Sequence, residues 1–326
     1  MIDLYQLLTF LSGILLAIMV LFNGGLTEKY GAFYAAFIIH IVGSLFALFI
    51  YSLRKEKKRL FICRPKWIYL GGVIGVSTTI FLNMAFGFIS MTSIVALGLL
   101  GQLVTSLFVD HFGLFGSKKI PFQKSSIIGL LFSIGGVFIM LDTSVTKAII
   151  AVFVSLLSGV SVVIARSINA HLAKEVGALN GSLINHLVGL PITLVLALLM
   201  TSSSSTSNII RNGTFPVWIY FGGTLGVMLV LLNNIVVPKV SAFRITVLTF
   251  VGQVITGIIL DLFFGNSVLD ASFQGGMLIA IGVLISMVTE QYNSIKKKKR
   301  EVYYQKIEFM EQERQKEIVE RFLSNK

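Results

Sequence analysis

Ten runs of mostly apolar residues, each of a length to cross a bilayer, follow one another with short polar breaks. They lie near residues 5–24, 33–52, 67–87, 91–111, 125–142, 148–168, 179–200, 216–235, 242–262 and 272–290. A spanning helix needs about 20 such residues at a rise of about 1.5 Å each. The pattern predicts an all-α polytopic membrane protein with ten transmembrane helices. Polar positions inside the runs are sparse and fall at helical spacing. Gly98, Gln102, Ser106 and Asp110 share one face of the fourth run, and Thr249, Gln253, Gly257 and Asp261 share one face of the ninth. From residue 291 to 326 the pattern changes to ten basic and six acidic residues. Val302, Ile307, Phe309, Met310, Ile318 and Phe322 are scattered there with partial helical periodicity. This predicts a charged, helical cytoplasmic tail that either rests on the inner leaflet or binds a partner.

Composition agrees: 55% of the 326 residues are hydrophobic and 13% are charged, where a soluble domain carries about 25%. A soluble enzyme is excluded for the bulk of the chain. The net charge of +12 would suggest nucleic acid if its position were ignored. With the N-terminus in the cytoplasm, 23 Lys and Arg fall on the inside, three (Lys29, Lys147, Arg211) fall outside, and Arg166 lies within a run. The positive-inside rule then puts both termini in the cytoplasm and the chain in the plasma (inner) membrane. The charge is a topology signal, suited to anionic lipid headgroups and not to nucleic acid. The opening MIDLYQLLTFLSG has no basic n-region and reads as a first span. Cys63 is the single cysteine, and no His, Cys or Asp cluster has metal-ligand spacing. No metal and no cofactor is expected.

The chain repeats itself. Ser12, Gly13, Asn23, Gly31, His40 and Gly43 recur 146 positions later as Ser158, Gly159, Asn169, Gly177, His186 and Gly189. The ten residues from Trp67 match those from Trp218 at seven positions, an offset of 151. The same offset pairs Asn83 with Asn234, Gly101-Gln102 with Gly252-Gln253, Thr105 with Thr256 and Asp110 with Asp261. The expected units are residues 1–146 and 147–290, followed by the tail 291–326. Five spans is an odd number, so the second unit must enter the membrane inverted relative to the first. Inverted repeats are typical of secondary transporters, because exchanging the conformations of two like units turns an inward-open cavity outward.

Three stretches carry a family resemblance. They are Phe22-Asn23-Gly24, Trp67-x-x-x-Gly71-Gly72-x-x-Gly75, and Gly101-Gln102-x-x-x-Ser106-x-x-x-Asp110-His111-Phe112-Gly113. Through them the sequence resembles a fused pair of the YdcZ-type family of the drug/metabolite transporter superfamily. The second half keeps Gly252-Gln253 and Asp261 but has Leu-Phe-Phe in place of His-Phe-Gly. The resemblance covers roughly residues 5–290. It implies a ten-helix transporter fold, a solute cavity between the halves, and export.

Several residues could carry chemistry. Gln102 and Gln253 fall near mid-span, where lipid offers an amide no hydrogen-bond partner. They either line the cavity as substrate ligands or hold helices together. His40 and His186 lie about seven residues into their runs; they either carry a coupling proton or pack beside Gly43 and Gly189. Arg166, whose partner in the first half is Val20, either meets an anionic group or snorkels to the cytoplasmic face. Asp110 and Asp261 end their spans as helix caps or as gate or coupling groups. Asn23, Asn169, Asn83 and Asn234 suit capping, and are lower-ranked cavity candidates. Gly71-x-x-x-Gly75 and Gly222-x-x-x-Gly226 read as close helix seams, and Trp67, Tyr69, Trp218 and Tyr220 as an interfacial aromatic belt.

The expected function is a secondary transporter, a probable exporter of a small metabolite or drug-like solute, working by alternating access. The alternative is a non-transporting scaffold or sensor acting through the tail. An intramembrane hydrolase would want a nucleophile beside a base, and neither Gly-x-Ser-x-Gly nor paired intramembrane aspartates occur, so no enzyme activity is expected. Expected partners are a solute, membrane lipid, a coupling proton or ion, and a second copy of the chain as a homodimer.

Overall fold

The computed structural model describes residues 4–54, 60, 65–85, 88–89, 91–117, 119–120, 124–141, 148–200, 216–263 and 271–324. Nine α-helices are found among them. They are α1 (Leu4–Ser52), α2 (Leu70–Ala85), α3 (Met91–Phe112), α4 (Lys124–Met140), α5 (Ile149–Val176), α6 (Ala178–Met200), α7 (Gly222–Val236), α8 (Ala242–Phe263) and α9 (Ala271–Ser324). Short 3-10 turns, Lys66–Tyr69 and Val217–Phe221, lead into α2 and α7.

The 49-residue α1 is too long for one crossing. At about 1.5 Å per residue it would measure about 74 Å, more than twice a hydrocarbon core of about 30 Å. It is not straight: Gly31 has φ 75° and ψ 166°, a backbone region open essentially to glycine alone. The chain doubles back there. A Cβ on Gly222 would collide with Asn23, while one on the adjacent Gly223 would collide with the Ile39 carbonyl. Residues 23 and 39 of a straight helix would lie about 24 Å apart and could not both reach that spot. Gly177, the residue matched to Gly31, breaks the chain between α5 and α6 in the same way, with φ 94° and ψ 154°.

Some elements on the two sides of residue 148 correspond in length and place. Helices α3 and α8 have 22 residues each, offset by 151 at both ends. Many contacts are reciprocal between matched positions. Asn23 packs on Gly222 and Asn169 on Gly71; His186 packs on Gly43 and His40 on Gly189. Gly13 closes against Gly252, and Gly159 against Gly98 and the backbone of Gln102. Asn83 donates to the Ala32 carbonyl at 2.9 Å, just past the first glycine break. Asn234 donates to the Ala178 carbonyl at 3.0 Å, just past the second. Because glycine meets backbone at these crossings, helices approach closely enough for dispersion to hold them where lipid removes the hydrophobic drive.

One core cluster joins α3, α4, α8 and α9 through Ala96, Leu99, Leu103, Val137, Val247, Phe250 and Ile279. Outside it, Phe49, Phe138, Ile150, Phe153 and Leu199 are exposed. Such broad apolar exposure suits contact with lipid and not with water. Six helical stretches are long and apolar enough to cross a membrane. Three shorter apolar helices, Ile127–Ile139, Ala242–Gly257 and Gln274–Ser286, accompany them.

The tail, expected from residue 291, is continuous with the helix before it. No new element begins there; α9 continues as one helix of 54 residues. No Gly or Pro follows Gly282 to stop it. From Tyr303 to Arg314 its side chains are exposed apart from the half-buried Ile307. The side chains of Val302, Ile318 and Phe322 lie outside the described residues.

Candidate functional site

A cavity of about 160 Å³ lies where α1, α2, α3, α5, α7 and α8 meet. Gln102 and Gln253 both line it, with Asn23, Asn83, Asn233 and Arg166. Thr78, Thr79, Ser158 and Thr249 add hydroxyls, and Leu16, Met19, Val20, Leu82 and Val162 add apolar wall. Six sequence-matched pairs of positions line it together: Leu16 and Val162, Val20 and Arg166, Thr78 and Leu229, Leu82 and Asn233, Gly98 and Thr249, Gln102 and Gln253. The cavity therefore draws on both copies of the repeated sequence at equivalent places.

The remaining expected site residues go elsewhere. Asn169 and Asn234 do not line the cavity. Asn169 Nδ2 donates to Asn185 Oδ1 at 2.7 Å, and its matched glycine, Gly71, leaves room for it. His40 and His186 are also outside the cavity wall. Their rings face each other, centroids 5.8 Å apart at 45°. Each Nδ1 lies on a carbonyl one turn earlier, Ala36 at 2.8 Å and Ser182 at 2.9 Å. Each Nδ1 donates to its carbonyl, and the two rings meet where residues 32–52 cross α6.

Arg166 does not snorkel: its side chain is buried. Nη2 donates to Ser106 Oγ at 3.1 Å, the Ala242 carbonyl at 2.9 Å and Thr246 Oγ1 at 2.6 Å. Asp110 is buried beside this network. Its Oδ1 accepts from the Ala242 N–H and its Oδ2 from the Phe243 N–H, both at 2.8 Å. These are unpaired donors at the start of α8, and the carboxylate also meets the positive end of the helix dipole. Asp110 thus caps a helix of the other half. The side chain of Asp261 lies outside the described residues.

Sequence reasoning gave no role to Thr78, Thr79 or Ser158. A signal existed for two of them: Thr79 precedes Asn83 by one helical turn, and Ser158 is the repeat match of Ser12. Both threonines satisfy their hydroxyls on carbonyls four residues earlier, which lets them face a cavity without a fixed partner. Trp67 and Trp218 are partly exposed at the helix entries, stacked on His171 and packed against Phe22 respectively. Among the described residues no group of three potential metal ligands occurs.

Long apolar helices around a cavity with a few polar groups in a mostly apolar wall define a helical integral membrane protein. The chain belongs to the family described as "Putative inner membrane exporter, YdcZ", whose model matches residues 4–139 and again 150–289. The family was thus correctly indicated by the motifs around Asn23, Trp67 and Gln102, and the double match agrees with a tandem form. A solved structure described only as "Crystal structure of protein" matches with a TM-score of 0.67 at 13% identity, covering 89% of this chain and 99% of that one. At that identity the likeness concerns the fold alone. No curated protein matches the chain.

Proposed function

We propose that this protein is a secondary transporter that exports a small solute across the inner membrane by alternating access. In this reading the two arms of α1 and helices α2–α9 make ten spans. They form two inverted five-helix repeats, with both termini in the cytoplasm. The observation that carries the reading is the central cavity, walled by six matched pairs from the two copies. Its reciprocal glycine crossings are what two like units facing each other would produce. Such a pair can exchange conformations about a site that stays in place. A solute-sized cavity at the junction favours transport over a scaffold, which would be stable with a packed centre. The buried His40–His186 pair, one ring from each half, is the proposed place for proton coupling to this exchange.

The test uses proteoliposomes, a metabolite library, and a pH gradient present or absent. Once a solute is found, Gln102→Leu and Gln253→Leu should lower initial rates by roughly two- to tenfold, the worth of one neutral hydrogen bond. Their thermal midpoints should stay near wild type, because leucine suits a membrane helix. Wild-type rates and solute affinity in both well-folded variants would remove the glutamines from the site. An unchanged pH profile in both His40→Gln and His186→Gln would remove the imidazoles from coupling.

A further inference from the structure

The charge inside the central cavity is one-sided. Among the described residues, Arg166 is the one charged residue of its wall, and no Asp or Glu lines it. The three hydrogen bonds that the guanidinium makes among the described residues all leave from Nη2. Among the described residues, Nε is buried without a partner. Asp110, which interacts electrostatically with Arg166, has its two oxygens on the Ala242 and Phe243 amides. The wall is also asymmetric where the repeat would make it even. The position matched to Arg166 is Val20, flanked in the cavity by Leu16 and Met19.

A second cavity, of about 240 Å³, lies on the far side of the Arg166–Asp110 network. Ala242, whose carbonyl accepts from Arg166, belongs to its wall. Lys174, Lys239 and His171 line it against one carboxylate, Asp110. Both cavities therefore favour negative charge. A cationic solute would meet the guanidinium in the cavity wall, while Asp110, the nearby carboxylate, is outside that wall with its oxygens on the α8 amides. A carboxylate matches a planar guanidinium.

We propose that the solute is a small organic monoanion: a carboxylate held by Arg166, with a compact apolar body toward Val20. The volume is close to that of a pocket that takes benzene, about 150 Å³, and well below the roughly 300–1,000 Å³ of drug-sized sites. The proposal rests on the transport reading only in taking the central cavity as the solute site.

The test measures binding to the full-length wild-type protein in detergent by calorimetry, without requiring transport. The probes are benzoate, phenylacetate and hexanoate, each beside its amide and its amine. At least one carboxylate should bind about tenfold or more tighter than its amide, the worth of a charge-assisted hydrogen bond, and the amines should be weakest. Arg166→Gln should erase that preference and Arg166→Lys should keep part of it. If Arg166→Gln does not fold, the wild-type series alone decides. An amide or amine that binds as tightly as its acid, or no carboxylate bound better than its amide, overturns the proposal. Preference for the acid that persists in a folded Arg166→Gln protein overturns the role of Arg166. Proteoliposome flux separates the two readings. A carboxylate that binds but is never moved keeps the anion site and defeats transport. A neutral or cationic solute that is moved, with no acid preference in binding, does the reverse.

Discussion

A carboxylate at the end of an apolar helix can reach water, or it can satisfy the open end of another helix. Asp110 does the second, with both oxygens on the first amides of α8. This ties α3 to α8 and positions the Arg166 network beside them. Asp110→Asn keeps one acceptor oxygen but turns an amide NH2 toward a backbone N–H. The expected cost is about 1–3 kcal/mol, the range for buried charge-assisted bonds. It should appear as a lowered thermal midpoint in detergent. A midpoint equal to wild type would mean that the cap contributes nothing. The motif around Gln102 and Asp110 was legible from spacing alone, but which helix Asp110 would cap was not. That depends on the start of α8 arriving from 132 residues away.

Gly31 and Gly177 make two hairpins out of long apolar stretches. Alanine at either position would be forced into a glycine-only backbone region, although nothing lies within 4 Å of the added Cβ. Gly31→Ala and Gly177→Ala should each cost about 1–3 kcal/mol from backbone strain, and the double variant about the sum. Gly257→Ala is the control: it is helical and equally open, so it should be near neutral or slightly stabilising. Three similar values would show that the breaks are not strained. The tail poses a simpler question. Its stretch from Tyr303 to Arg314 is exposed apart from the half-buried Ile307. Deleting residues 302–326 should leave the thermal midpoint and transport of the remainder unchanged. A large loss in either would give the tail a structural or signalling role.

The proposed topology is open to direct labelling. Cys63 is first replaced by Ser, and single cysteines are then placed in residues 201–214 and 54–66. An impermeant reagent added from outside should modify the first set and miss the second, following the 23-to-three bias of Lys and Arg. The opposite pattern would reverse the orientation. The same loops, 201–215 and most of 54–66, lie outside the described residues, so labelling supplies what the helices alone do not.

Hydropathy and the repeat were enough to determine the all-helical membrane class and the paired positions of Asn23, Gly31, His40, Asn83 and Gln102 with their second-half equivalents, and the motifs around Asn23, Trp67 and Gln102 indicated the family. These properties are written locally. An apolar run is apolar whatever it packs against, and a duplicated glycine can be matched without knowing its φ. The tertiary structure decided which polar groups share a space. Gln102 and Gln253 turned to one cavity with Arg166, while His40 and His186 turned to each other and Asn169 and Asn234 to neighbouring helices. A helix in lipid is apolar on almost every face, so its sequence gives little indication of its rotation about its own axis. The rotation is set where glycines let backbones touch, at Gly13 with Gly252, Gly43 with His186 and Gly98 with Gly159. Those contacts join residues more than 60 apart in the chain, beyond the reach of any local pattern.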